Sequence, residues 1–168
     1  MTTITADIRF AETTDADCLA RVHAEAWREA YAGIVPYRSL DAMIRRRHAG
    51  WWTRTLKAGA GILVCEYAGQ VIGYATLGRN RTRALDVESE IYELYLEPSF
   101  QGLGFGGRLF KAAREILCRD GSEGLVVWAL ADNHRALAFY HAMGGKDLAE
   151  GRESFDGHEL AKIAFLWS

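Results

Sequence analysis

The chain has 168 residues, of which 49% are hydrophobic and 25% charged, with a formal net charge of −2. That size and apolar content suit one domain spanning residues 1–168 around a single core, and leave no room for two ordinary ones. The near-neutral charge speaks against bulk nucleic-acid or anionic-membrane binding, and no apolar run approaches the roughly 18 residues of a spanning helix.

The N-terminus, Met1 to Asp7, lacks the basic region and apolar run of a signal peptide. Cys18, Cys65 and Cys118 are odd in number and far apart. They fit reduced thiols in a cytoplasmic protein, not a disulfide framework or a zinc spacing. The five histidines show no paired-ligand pattern, so no metal is expected.

Ile4 to Ala11 alternates as a strand, and Thr13, Thr14 or Asp15 can cap a helix running to about Tyr31. Its apolar positions, Leu19, Val22, Ala26 and Ala30, recur at three- and four-residue steps. Gly33 and Pro36 break it, and a second helix is predicted from Ser39 to about Lys57. Within that helix Arg45-Arg46-Arg47-His48 reads as a solvated face. Ile62–Tyr67 and Val71–Leu77 form a hairpin around Ala68-Gly69-Gln70. A polar, arginine-bearing loop, Gly78 to Asp86, leads to a strand from Glu88 to Leu96, which Pro98 ends. A glycine run then opens a helix to Cys118. Leu125–Ala131 is a buried strand, and Asp132 or Asn133 caps a helix ending near Met143, before Gly144-Gly145. Two strands close the chain, near Lys146–Glu153 and Leu160–Trp167. The order β α α β β β α β α β β predicts an α/β fold with a mixed sheet and helices on both faces.

The glycine run, Gln101-Gly102-Leu103-Gly104-Phe105-Gly106-Gly107-Arg108, can be read in two frames. Gly102-x-Gly104-x-x-Gly107 has the dinucleotide-binding spacing. That reading, an NAD-binding protein, is opposed by the four residues Pro98–Gln101 between strand and glycines, and by the mere 36 residues after Asp132. The other frame, Gln101-x-x-Gly104-x-Gly106, places residues without Cβ at a turn into a helix. There the main chain can approach a ligand, and unpaired N–H groups with the helix dipole suit a pyrophosphate.

In this frame the sequence resembles the GNAT superfamily of N-acetyltransferases. The likeness rests on the glycine motif after the strand Glu90–Leu96, on "LVVWALADNHRALAFYHAMGG" with Asn133 and Tyr140, and on the N-terminal "AWREAYAGIVP". It implies a central, largely antiparallel sheet of six or seven strands with a splayed pair, flanked by about four helices, and acetyl-CoA as cosubstrate. By the same resemblance, the main chain at Leu94 and Leu96 bonds the pantetheine arm and can polarise the thioester carbonyl. Main-chain N–H groups of Gln101, Gly102, Leu103, Gly104, Phe105 and Gly106, with Gly107 and Arg108, hold the pyrophosphate, and the Asn133 side chain bonds the pantetheine. Asn133 as a plain helix cap is the alternative, and both roles are compatible.

Acetyl transfer needs an unprotonated amine, donors for a developing oxyanion and a proton for the leaving thiolate. The resemblance makes Tyr140 the acid; seven residues after Asn133, it shares that residue's helix face. For the base, some members carry a glutamate where this chain has Trp128, and others one at the position of Glu90. Glu90, Glu93 and solvent through a water chain remain the candidates, with Glu93 expected on the opposite strand face. Trp27 and Tyr31, four residues apart, can line one wall of an acceptor pocket, although aromatics at helical spacing are ordinarily core. Glu93, Glu29 and Asp156 can attract a cationic amine, either a small molecule or a peptide N-terminus. A non-catalytic acyl-CoA-binding domain is the competing reading. The tail "IAFLW", expected to be exposed, offers a homodimer contact.

Overall fold

The structure, a computed structural model, describes residues 5–119 and 121–168. The sheet-forming segments are β1 (Asp7–Phe10), β2 (Gly61–Tyr67), β3 (Gln70–Arg79), β4 (Ser89–Leu96), β5 (Leu125–Leu130), β6 (Lys146–Phe155) and β7 (His158–Trp167). The helices among the described residues are α1 (Ala16–Tyr31), α2 (Tyr37–Arg46), α3 (Ala49–Lys57), α4 (Phe105–Cys118) and α5 (His134–Ala142). The strands form one sheet in the order β1-β2-β3-β4-β5-β7-β6, in which only β4 and β5 run parallel. Ile4, predicted to open the first strand, lies outside the described residues.

Strands near the sheet centre are apolar on both sides, because helices cover both faces. In β2, Leu63 and Cys65 pack with Ile72, Ile91, Phe105, Leu109 and Phe110 against α4. The alternate residues Ile62 and Val64 pack with Leu19, Val22, Trp52 and Tyr74 under α1 and α3. Under α2 a third cluster joins Trp27, Tyr31, Leu40 and Ile44 to Leu130 and Phe155.

Three local features depart from the sequence reading. The single helix predicted over Ser39–Lys57 is two. Arg47 leaves helical geometry (φ −98°, ψ 49°), and His48 starts α3 by accepting the Gly50 N–H at its Nδ1, at 3.1 Å. In β4, Glu93 sits opposite Thr76 but Ile91 sits opposite Leu77, so Tyr92 is an extra residue, a β-bulge. Finally, "IAFLW" is no exposed tail: it lies in β7 between β5 and β6, with Ala164, Phe165 and Trp167 buried.

Two registered pairs, Ser89 with Leu125 and Glu90 with Val126, are all that join β4 to β5. Beyond them the strands diverge, and β4 from Ile91 to Leu96 keeps β3 as its strand neighbour among the described residues. The splay opens the sheet at its middle.

Candidate active site

A cleft of about 680 Å³ lies on the α4 and α5 side of the splay. It is lined by Leu94 and Leu96 of β4, by Gln101, Gly102, Gly104, Gly106 and Gly107, by Asn133, and by Tyr140 of α5. The glycine run builds its floor. Gly102 and Gly104 adopt φ of +77° and +90°, the left-handed region that glycine enters without strain. The first α4 hydrogen bond from this turn runs from the Arg108 N–H to the Gly104 carbonyl. The main-chain N–H groups of Gly102 to Gly107 make no main-chain bond among the described residues. Gln101 and Arg108 are exceptions to the predicted donor set. The Gln101 N–H donates to the Pro98 carbonyl, and the Arg108 N–H is spent inside the turn. Of the other predicted residues, the Leu103 side chain is exposed and Phe105 is buried in the core, so each can offer the cleft only main chain.

Asn133 caps α5, its Oδ1 accepting the Ala136 N–H at 3.3 Å, and it also lines the cleft. Tyr140 is buried among Phe110, Phe139, Phe165 and Trp167. Burial, and next the nearby Tyr31, raise its hydroxyl pKa above the ordinary value, so it stays protonated at neutral pH. At the mouth of the cleft Arg135 donates to Glu29, at 2.8 Å, and to Gln101. Glu29 therefore sits at this cleft, whereas Asp156, 3.5 Å from the Ser39 hydroxyl, lines neither this cleft nor the one on the opposite face.

A second cleft, about 770 Å³, lies on the opposite face. Trp27 and Tyr31 line it, with Trp51, Trp52, Trp128 and Phe155. Glu90 and Glu93 both line it, which corrects the expectation of opposite faces: the bulge at Tyr92 adds one residue to the alternation. Each carboxylate has an arginine. Glu90 is almost wholly buried and accepts from the Arg81 N–H at 3.0 Å and from the Arg81 guanidinium at 2.9 Å. Glu93 accepts from Arg47 Nη1 on both oxygens, Oε2 at 2.6 Å. Burial raises the Glu93 pKa, and the charge of Arg47 opposes the rise.

Both arginines escaped the sequence reading. The run Arg45 to His48 predicts a solvated helix face for Arg47, but the helix break turns it inward onto the tryptophans. Arg81 stood in a loop with no periodicity. Asn80 orders that loop: its amide donates to the carbonyls of Thr82, Leu85 and Val87. Tyr95 was also missed, though alternation with Leu94 and Leu96 signals it. It lines both clefts, and its hydroxyl bonds that of Tyr31 where they meet. Burial pushes the Tyr31 pKa up to about 12, although the bond to Tyr95 opposes the rise.

Among the described residues no group of three or more His, Cys, Asp or Glu is placed to hold a metal. No helix among them is long and apolar enough to cross a membrane.

The chain is similar to known proteins in sequence and in fold. The chain is 28% identical to the uncharacterized N-acetyltransferase YuaI of Bacillus subtilis, over 95% of this chain and 91% of that protein. The PaiA N-acetyltransferase of Thermoplasma acidophilum, solved with coenzyme A, shares the fold at a TM-score of 0.75 and 22% identity, covering 95% of this chain and 98% of that one. The acetyltransferase yncA of Salmonella typhimurium, solved with acetyl-CoA, does so at 0.67 and 22% identity, covering 96% and 92%. The sequence model of the acetyltransferase (GNAT) family matches residues 20–144, and the chain belongs to that family.

Proposed function

We propose that the protein transfers the acetyl group of acetyl-CoA to a primary amine by direct attack within a ternary complex. The observation that carries this reading is the pair of clefts on opposite faces of the sheet, meeting at the β4–β5 splay and sharing Tyr95. One offers unpaired main-chain donors and a protonated tyrosine, the other buried carboxylates.

The N–H groups of Gly102 to Gly107 suit a pyrophosphate, and β4 from Ile91 onward supplies main-chain groups for the pantetheine and the thioester carbonyl. Glu90 accepts the amine proton, directly or through water. Its partner Arg81 is 66% exposed and can swing aside, whereas Glu93 is engaged by the enclosed Arg47. The free amine nitrogen then forms a bond to the thioester carbon, the carbon–sulfur bond breaks, the Tyr140 hydroxyl protonates the departing thiolate, and the surplus nitrogen proton passes through water to restore the Tyr140 hydroxyl. The acceptor is a small-molecule amine or a peptide N-terminus.

The test is calorimetric titration with acetyl-CoA, desulfo-CoA and NADH in parallel, followed by thiol release over an amine panel. The expected result is micromolar binding of the first two, none of NADH, and thiol release with some amines. Tight acetyl-CoA binding without thiol release from any amine would favour a binding or sensing domain.

A further inference from the structure

The acceptor cleft holds a cation of its own. The Arg47 guanidinium carbon lies 5.2, 4.6 and 5.9 Å from the ring centres of Trp27, Trp51 and Trp52. An aromatic wall that would attract a cationic substrate is thus already occupied by an arginine. The guanidinium has five N–H donors. Its hydrogen bonds run from Nη1 to Glu93, and Nε and Nη2 carry none among the described residues. A guanidinium clamped by three rings and a carboxylate, with donors left over at a cleft, is pre-organised for an oxyanion. Its planar fork matches a carboxylate bidentately.

The rest of the cleft agrees. Lys162 stands 4.4 Å from the Trp128 ring centre, and no carboxylate of the described residues lies within 4.0 Å of its Nζ. Glu90 and Glu93 are matched by Arg81 and Arg47, and Glu153, which also lines the cleft, joins no ion pair among the described residues. A peptide N-terminus brings no free carboxylate to this position.

We infer that the acceptor is a small amine that also carries a carboxylate, an amino acid or close analogue, with its carboxylate on the free edge of Arg47. Glu93, which holds Arg47, directly precedes Leu94, whose residue lines the cofactor cleft. The anchor and the cofactor cleft are thus held by adjacent residues of β4, on either side of the splay. The inference rests on the acetyl-transfer reading above.

The experiment is thiol-release kinetics on the full chain with matched pairs: L-methionine and 3-(methylthio)propylamine, L-phenylalanine and phenethylamine, L-leucine and isoamylamine. For at least one pair the wild type is expected to prefer the amino acid at least tenfold in kcat/KM. In Arg47→Lys, which keeps the charge but not the fork, that ratio should collapse to within threefold, mainly through KM. Calorimetric acetyl-CoA affinity checks that the variant is folded, and the wild-type comparison decides without it if it is not. Equal or better use of the decarboxylated amines, or an unchanged ratio in a folded Arg47→Lys, overturns the inference and leaves acetyl transfer standing. Acetyl-CoA binding with no thiol release from any amine overturns acetyl transfer itself, and the inference with it.

Discussion

Tyr140 shows how one residue serves packing and chemistry together. Its ring is wedged among Phe110, Phe139, Phe165 and Trp167, so its position is fixed by the core. The same burial raises its pKa and keeps the proton on the oxygen at neutral pH, the state a proton donor needs. Tyr140→Phe keeps every ring contact and removes the proton. Turnover should fall at least about tenfold, toward the two to four decades typical of general acids, while acetyl-CoA affinity stays unchanged. Steady-state kinetics beside calorimetry separate the two, and unchanged turnover would remove Tyr140 from the mechanism. Glu90→Gln removes the proposed base and leaves the cofactor cleft untouched, so turnover should fall at least about tenfold with acetyl-CoA affinity unchanged. Turnover equal to that of the wild type would move the base elsewhere.

At the scale of elements, two irregularities make the site: the bulge that brings Glu90 and Glu93 to one face, and the glycine turn into α4. The glycines play separable parts. Gly104 has φ of +90° with nothing within 4 Å of an added Cβ, so its requirement is conformational. Gly104→Ala should lower stability by about 1 kcal/mol or more and weaken acetyl-CoA binding as the turn relaxes. Gly107 is helical, and an added Cβ would meet Met143 Sδ at an ordinary 3.7 Å. Gly107→Ala should therefore hold or raise the melting temperature, since alanine is better by about 1 kcal/mol in a helix, yet cut acetyl-CoA affinity at least fivefold if a phosphate packs there. Melting curves and titrations of the two variants give opposite patterns in stability and the same direction in affinity. The glycine turn, the capping Asn133 and the Tyr140 face were legible in sequence because each is set by neighbours a few residues away. The bulge was not, because two-residue alternation holds only until the partner strand slips, and the partner Thr76–Leu77 is far along the chain. The break at Arg47 was not either: no glycine or proline marks it, and what draws Arg47 inward is Glu93, 46 residues on.

For the molecule as a whole, the strand and helix order followed from apolar periodicity, and the burial of a titratable group beneath α1 did not. His23, on the inner side of α1, is fully buried beside Trp27 of the same helix, Trp52 of α3 and Tyr74 of β3. Its Nδ1 shares a hydrogen with the Tyr74 hydroxyl at 3.0 Å, and its Nε2 has no partner among the described residues. Burial first, and the charge of Arg47 second, lower its pKa from 6.5 to about 3, so the folded protein keeps it neutral. The unfolded chain protonates the same imidazole near 6.5. Between those values the unfolded state holds the extra proton, and stability falls as pH falls. At pH 5 this one group accounts for a loss of about 2 kcal/mol relative to neutral pH. Glu93 acts in the other direction, since its raised folded pKa makes the folded state the better proton acceptor as pH drops. Asp15, whose pKa is lowered chiefly by its hydrogen bonds from Arg9, adds its own loss as pH falls below the ordinary carboxylate value. His23→Gln isolates the histidine term, because it removes the titration while leaving Glu93 and Asp15 in place. The variant will be less stable at neutral pH, but its urea-denaturation free energy should decline less steeply from pH 7 to pH 5 than that of the wild type. Parallel curves would mean that His23 opens to solvent, or takes up its proton, in the folded protein.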